Sequence, residues 1–234
     1  NAIGDSSTVL ELDATNAEAR RLRGTAQFHL GRYQDAIEDL DSDAVRAIDT
    51  ASLQWMRSRC FVELDQTFRA REELNALIAT DPTHEQARLM RAALAEQQGE
   101  FDVAIEDMSA LIGQQPENAE LLIRRGLLQH REGLYEKAIE DFSKVLEFKP
   151  GFAEALYRRG LARHQLQEDE NAIADLEEAL KLDDKHADAW YVKGNINAGQ
   201  GNASEALDCY QHAVDLEPTH AAAWYNRGNL LFNE

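Results

Sequence analysis

Seven cationic residues recur at an interval of 34: Arg23, Arg57, Arg91, Arg125, Arg159, Lys193 and Arg227. Sixteen residues after the first six stand Asp39, Glu73, Asp107, Asp141, Asp175 and Cys209, so each of those arginines has an acid and the lysine has a cysteine. A guanidinium is a planar fork of donors that matches both oxygens of a carboxylate. The spacing predicts bridges that fasten two stretches of chain together, which is structural chemistry, not catalysis. Two sets of independently solvated charges is the competing reading, because exposed pairs contribute little.

Catalytic patterns are missing from the sequence: there is no Gly-rich phosphate loop, no H-E-x-x-H and no nucleophile elbow. Neighbouring acids such as Glu72-Glu73 and Glu177-Glu178 read as a solvated outer face, so no acid–base pair and no enzyme activity is expected. Seven histidines raise a metal reading. His130 and His164 are 34 apart, but the nearest third candidate, His29, lies about three periods away. Zinc ligand atoms must converge to about 2 Å from the metal. His84, His186 and His220 fall at turns and read as polar surface. No metal and no cofactor is expected.

The elements that must position these residues are most legible in Ala187–His220. Trp190 and Gly194 sit one helical turn apart, Gly201 breaks the first pattern, and Ala206, Tyr210 and Ala213 mark a second apolar stripe. Pro218 ends the unit. Stepping back from Ala206 by 34 gives Ala172, Ala138, Ala104, Ala70 and Ala36. Pro82, Pro116, Pro150 and Pro218 share one phase, and Gly24, Gly126, Gly160, Gly194 and Gly228 share another. This helix–turn–helix pattern resembles the tetratricopeptide repeat, matched best by Trp190, Gly194, Ala206, Tyr210, Ala213 and Pro218 and nearly as well by Gly126, Ala138, Phe142 and Pro150.

The resemblance implies an all-α, right-handed superhelical solenoid of stacked antiparallel helix pairs. The expected organisation is a single array: a partial repeat 1–16, full repeats 17–50, 51–84, 85–118, 119–152, 153–186 and 187–220, and a partial repeat 221–234. Asn16 is expected to cap the first full repeat. That repeat departs from the pattern, with Asp43 in the inter-helix slot held elsewhere by Leu77, Leu111, Val145, Ala179 and Ala213, and Ile48 in place of proline. A buried unpaired carboxylate is costly. Either the helix breaks near Asp41-Ser42-Asp43 and Ala44, Val45 and Ile48 form a re-phased turn, or it continues with Asp43 turned outward.

A formal net charge of −19 argues against nucleic acid and anionic membrane surfaces as partners. No apolar run approaches the roughly 18–20 residues of a membrane-spanning helix. Cys60 and Cys209 are more than four repeats apart, too far for a disulfide. The chain begins at Asn1, not methionine, and shows no signal peptide, which reads as a processed or excised segment and leaves the compartment open.

In this family the first helices line a concave surface that grips peptides or partner proteins. The resemblance places there Trp55, Leu89, Ile123, Tyr157, Tyr191 and Tyr225, and one turn on Arg59, Ala93, Leu127, Leu161, Asn195 and Asn229. Phe28, His130, Arg131 and His164 lie beside them, with Arg124 and Arg158 at the edge. Aromatics interspersed with Arg, His and Asn are the mixture enriched at interaction hot spots. Acids concentrate on second helices, as in Glu106-Asp107 and Glu140-Asp141. Alternatively, Tyr157, Tyr191 and Tyr225 pack between units.

Asn195 and Asn226 could stand for the two asparagines of the family's carboxylate clamp, but Tyr191 stands where that clamp has lysine and the unit that would supply its remaining basic residues is absent, so that specificity is not carried over. Leu230-Leu231-Phe232 leaves an apolar face uncovered, from truncation of a longer array or for docking; both predict end-to-end homo-association. The expected function is a non-catalytic scaffold for a protein or peptide ligand. A structural or oligomerising spacer is the rival.

Overall fold

The structure is a computed structural model that describes residues 2–232. Residues 1, 233 and 234, which belong to the two partial repeats, lie outside the described residues. Fifteen helices and no strand are found among the described residues. After α1 (Ala2–Leu12), first and second helices alternate: α2 (Ala17–His29) with α3 (Tyr33–Leu40) and the short α4 (Asp43–Arg46), then α5 (Ala51–Glu63) with α6 (Thr67–Thr80). Next come α7 (Glu85–Gln97) with α8 (Phe101–Gln114), and α9 (Ala119–Arg131) with α10 (Tyr135–Phe148). The series ends with α11 (Ala153–Gln165) and α12 (Asp169–Leu182), α13 (Ala187–Gly199) and α14 (Ala203–Leu216), and a lone first helix, α15 (Ala221–Phe232). The chain forms two compact units, Asn1–Asp107 and Met108–Glu234, and the division falls inside α8.

First helices begin alike. At seven positions of one phase, six side chains accept a backbone N–H from the first helical turn: Asn16, Thr50, His84, Asn118, His186 and His220. Phe152 is the seventh and makes no such bond. Each bond satisfies one of the donors that a helix N-terminus leaves unpaired. Three of the caps are histidines, whose Nδ1 serves as the acceptor, a role that the expectation of mere exposed polar side chains misses.

The turn inside each repeat needs a left-handed residue. Gly31, Gly99, Gly133 and Gly201 supply it, and at the same phase Asp65 (φ 55°) and Gln167 (φ 63°) adopt it without being glycine. That backbone costs an ordinary L residue roughly 1–2 kcal/mol, which glycine avoids at some cost in unfolded-chain entropy. Gln167→Gly is expected to stabilise the protein by about 0.5 kcal/mol, read as a higher urea midpoint. Asp65→Gly should gain less, since Asp tolerates this region better. An unchanged or lowered midpoint for Gln167→Gly would show that the turn carries no strain.

In the four full repeats with glycine at this phase, the second helix packs over a gap in the first. A Cβ at Gly126 would lie 2.7 Å from the Phe142 ring, and one at Gly194 would lie 2.6 Å from the Tyr210 ring. Ala36, Ala70, Ala138, Ala172 and Ala206 are all fully buried at the contact. The register is constant: Trp190 and Trp224 each donate their indole N–H at 3.0 Å to a carbonyl six residues upstream, those of Asp184 and Pro218.

The predicted arginine bridges are present. Arg23–Asp39, Arg91–Asp107, Arg125–Asp141 and Arg159–Asp175 each make two bonds of 2.6–2.9 Å, and Arg57 meets Glu73 at 2.7 Å. The acids are buried, and the guanidiniums of Arg23, Arg91 and Arg125 are held above their usual range chiefly by hydrogen bonds to them. A second bond runs backward by the same sixteen residues. Arg23, Arg125 and Arg159 donate to Ser7, Ser109 and Ser143, and Arg91 to Asn75. One guanidinium therefore ties its own hairpin to the preceding second helix. Lys193, with Cys209 sixteen residues ahead, turns backward to Glu177 at 2.8 Å.

Of the two readings of Asp43, the chain breaks. α3 stops at Leu40, Asp43 is exposed, and Val45 fills the slot fully buried. Ile48, expected in the re-phased turn, is exposed; the turn is too short to bring both apolar residues inward. Asp41 at the break pairs with Arg46 and Arg69. Arg57, fully buried, takes Asp49 at 2.8 Å as a further partner.

Candidate interaction surface

The two units present different first-helix surfaces. In Asn1–Asp107 aromatic and methionine side chains dominate it, with Arg59 among them. Phe28, Trp55, Met56 and Met90 are half-buried and pack on the core of that unit. Phe28 meets the rings of His29 and Tyr33 edge-on. Trp55 lies 5.4 Å from the His84 ring, and the Arg59 guanidinium lies 5.8 Å from the indole centroid. Arg59 also approaches Glu63 at 3.7 Å.

In Met108–Glu234 the surface is more polar. Ile123 and Arg124 are half-buried and Arg131 is exposed on α9. His130 packs its ring on Tyr135, and burial, with the nearby Arg158 charge, holds it below the usual histidine range. On α11, His164 Nδ1 lies 2.7 Å from Asp169. Arg158 donates through Nε to Glu154 at 2.6 Å and lies 5.0 Å from the centre of the Tyr157 ring. Tyr157 is only 5% exposed, because the His186 ring packs against it, tilted, with centroids 4.3 Å apart, and burial pushes its hydroxyl up to about 12. Tyr191 repeats the contact with His220 at 4.8 Å and stays half-buried. Tyr225, at 69%, is well exposed, as is Asn229. Of the three tyrosines, Tyr157 is inter-repeat packing, Tyr191 is shared, and Tyr225 faces outward.

The most elaborated part of this surface joins α13, α14 and α15. Asn195 Oδ1 accepts from Tyr210 Oη–H at 2.9 Å and from Asn226 Nδ2 at 2.8 Å. Asn226 Nδ2 also donates to Tyr191 Oη at 3.3 Å. These groups edge an open cleft of about 310 Å³ lined by Asn195, Ala198, Tyr210, Asn226, Asn229 and Leu230. With its carbonyl occupied twice, Asn195 keeps its amide N–H donors, while Asn226 has given both amide hydrogens and keeps its carbonyl. The edge therefore offers a donor and an acceptor side by side. Tyr210 joins this site through its hydroxyl, a role the apolar stripe in the sequence does not reveal. Among the described residues no cluster of three or more His, Cys, Asp and Glu side chains is placed to hold a metal ion, and no helix is long and apolar enough to cross a membrane.

Comparison with known proteins agrees with this architecture. Tetratricopeptide repeat sequence models match residues 7–52, 57–111 and 89–151, a further one matches 153–186, and a TPR repeat model matches 194–234. No curated protein sequence matches the chain. Among solved structures, a MamA protein is 27% identical over 62% of this chain and 80% of its own, with a TM-score of 0.57. YrrB, described as a TPR protein with an unusual peptide-binding site, is 18% identical over 84% of this chain and 97% of its own, with a TM-score of 0.64. The C-terminal part of a TPR repeat-containing protein from Cytophaga hutchinsonii is 17% identical over 94% of this chain and 91% of its own, with a TM-score of 0.70.

Proposed function

Because the chain belongs to the tetratricopeptide repeat family, whose members are protein-interaction scaffolds, we propose that it is a non-catalytic scaffold that holds an extended peptide segment on its first-helix surface. The observation that carries this reading is the cleft at Asn195 and Asn226. An extended peptide presents a C=O and an N–H at every residue, the complement of the donor and acceptor those two side chains have left. Exposed Tyr225 beside the cleft supplies an aromatic platform at low entropic cost. Arg124, Arg131 and Arg158 give the same unit cationic side chains for acidic groups of the ligand. The peptide-binding site named for YrrB is in keeping with this use of the fold.

The test is affinity capture of partners, read by mass spectrometry, with paired variants. Arg158→Glu combined with Tyr225→Ala is expected to reduce recovery of a true ligand at least tenfold while leaving the thermal melt nearly unchanged. Phe68→Ala, on the outer face of α6 where the ring is 74% exposed, should not reduce it. Equal recovery by both variants would defeat the groove reading. The exposed Trp224 and Phe232 of α15 favour a second reading, a spacer that associates end to end. In that case Phe232→Glu would lower the sedimentation coefficient at micromolar protein and the groove variant would not.

A further inference from the structure

Three first helices, α7, α13 and α15, are capped by histidine, and each histidine also packs its ring, tilted, on an aromatic residue 29 positions earlier: Trp55–His84, Tyr157–His186 and Tyr191–His220. The middle joint is built differently from the other two. His186 Nδ1 accepts the Ala189 N–H at 3.3 Å, so in this state the ring is neutral and its proton sits on Nε2. That Nε2 lies 3.6 Å from Glu154 Oε2. The other oxygen of the same carboxylate accepts from Arg158 Nε at 2.6 Å. One carboxylate thus stands between a helix cap and an arginine of the proposed peptide surface.

We propose that Glu154, Arg158 and His186 form a proton-operated latch that couples the start of α13 to the charge offered by α11. A proton taken from solvent can enter the ring only at Nδ1, the atom that accepts the Ala189 N–H. The cap is then lost, because a donor would face a donor. The Nε2–H, 3.6 Å from Glu154 Oε2 while the ring is neutral, then carries positive charge and closes on the carboxylate as a charge-assisted hydrogen bond. Glu154 is drawn toward the imidazolium, and its hold on Arg158 weakens.

The groups facing the ring agree with this exchange. From α11 come Glu154, Tyr157 and Arg158; from the preceding turn and α13 come Asp183 and Asp188. The Glu154 carboxylate, as acceptor for the ring N–H, holds His186 above the usual histidine range, and the same interaction with His186 is the first cause that depresses Glu154 to about 2. The next joint lacks the coupled arginine. His220 Nε2 lies 3.4 Å from Asp188, but the residue at the phase of Arg158 is Val192. It serves as an internal control in the same unit. The consequence for ligand binding rests on the peptide-surface reading; the latch itself is measured without a ligand.

The experiment is an NMR titration of the full chain from pH 8 to pH 5, following the His186 Cε1–H, the Ala189 amide and the Arg158 Nε–H. As His186 titrates, Ala189 exchange is expected to quicken several-fold and the Arg158 Nε–H to move with the same midpoint. The Ala223 amide, bonded to His220 at a joint where Val192 stands in place of the arginine, is the control signal. Glu154→Gln should lower the His186 midpoint and disconnect Arg158. His186→Asn keeps a capping side chain that does not titrate, so both responses should disappear in a folded protein. If Ala189 and Arg158 ignore the His186 titration, or still respond in His186→Asn, the latch does not exist.

Discussion

Arg125→Ala is expected to destabilise the protein by about 3 kcal/mol, the low end of what removing one partner of a buried ion pair costs. Asp141 is 1% exposed and receives both of its closest bonds, at 2.7 and 2.6 Å, from this one guanidinium. Deleting the arginine leaves a buried carboxylate short of donors, and it also releases Ser109 on the preceding second helix, bonded at 2.9 Å. Arg125→Lys should be nearly as harmful, because an ammonium cannot serve two acceptors in fork geometry while reaching a third. Arg125→Met with Asp141→Leu should recover most of the loss, since a well-packed apolar pair can replace a buried ion pair at little cost. Urea denaturation of the three variants decides the matter. Equal stability of Arg125→Ala and wild type would mean that water replaces the bridge.

The chain has already made a version of the double change. Where lysine replaces the arginine, at Lys193, the acid is gone as well: Cys209 fills its place, 4% exposed, with its thiol pushed up by burial. A carboxylate kept at Cys209 beside a lysine committed to Glu177 would have been buried with too few donors.

The forward half of this ladder is legible in the sequence because acids alone occupy it wherever arginine stands. The backward half is not, because its acceptors are Ser7, Asn75, Ser109 and Ser143, residue types that appear anywhere on a surface. Periodicity also gives the phase of a side chain without its depth. Tyr157, Tyr191 and Tyr225 share one phase, yet the first is buried and the last is exposed. The difference comes from the histidine 29 residues ahead, which closes over Tyr157 and half-covers Tyr191. The break at Asp43 was foreshadowed by a carboxylate in an apolar slot, whereas the pairing of Asn195 with Asn226 depends on how α13 and α15 meet and no local pattern encodes it.

Gly194→Val is the second change with a large expected effect. A Cβ there would sit 2.6 and 2.8 Å from carbons of the Tyr210 ring and 3.2 Å from the Cβ of Cys209. The ring cannot retreat freely, because it is 2% exposed and its hydroxyl is bonded to Asn195. α13 and α14 must therefore separate, and overpacking of this kind costs about 2–3 kcal/mol. Gly228 has the same phase but nothing within 4 Å of its would-be Cβ. Gly228→Ala should accordingly be neutral or stabilise by up to about 1 kcal/mol through helix propensity alone. The pair separates steric demand from propensity at two equivalent positions. The effect should also reach the proposed ligand site. Moving Tyr210 removes one donor from Asn195 Oδ1, so Gly194→Ala, a milder intrusion, is expected to weaken ligand capture at a temperature where the protein is still folded. A Gly194→Ala protein with unchanged capture and unchanged melting would show that the α13–α14 contact is looser than these distances require.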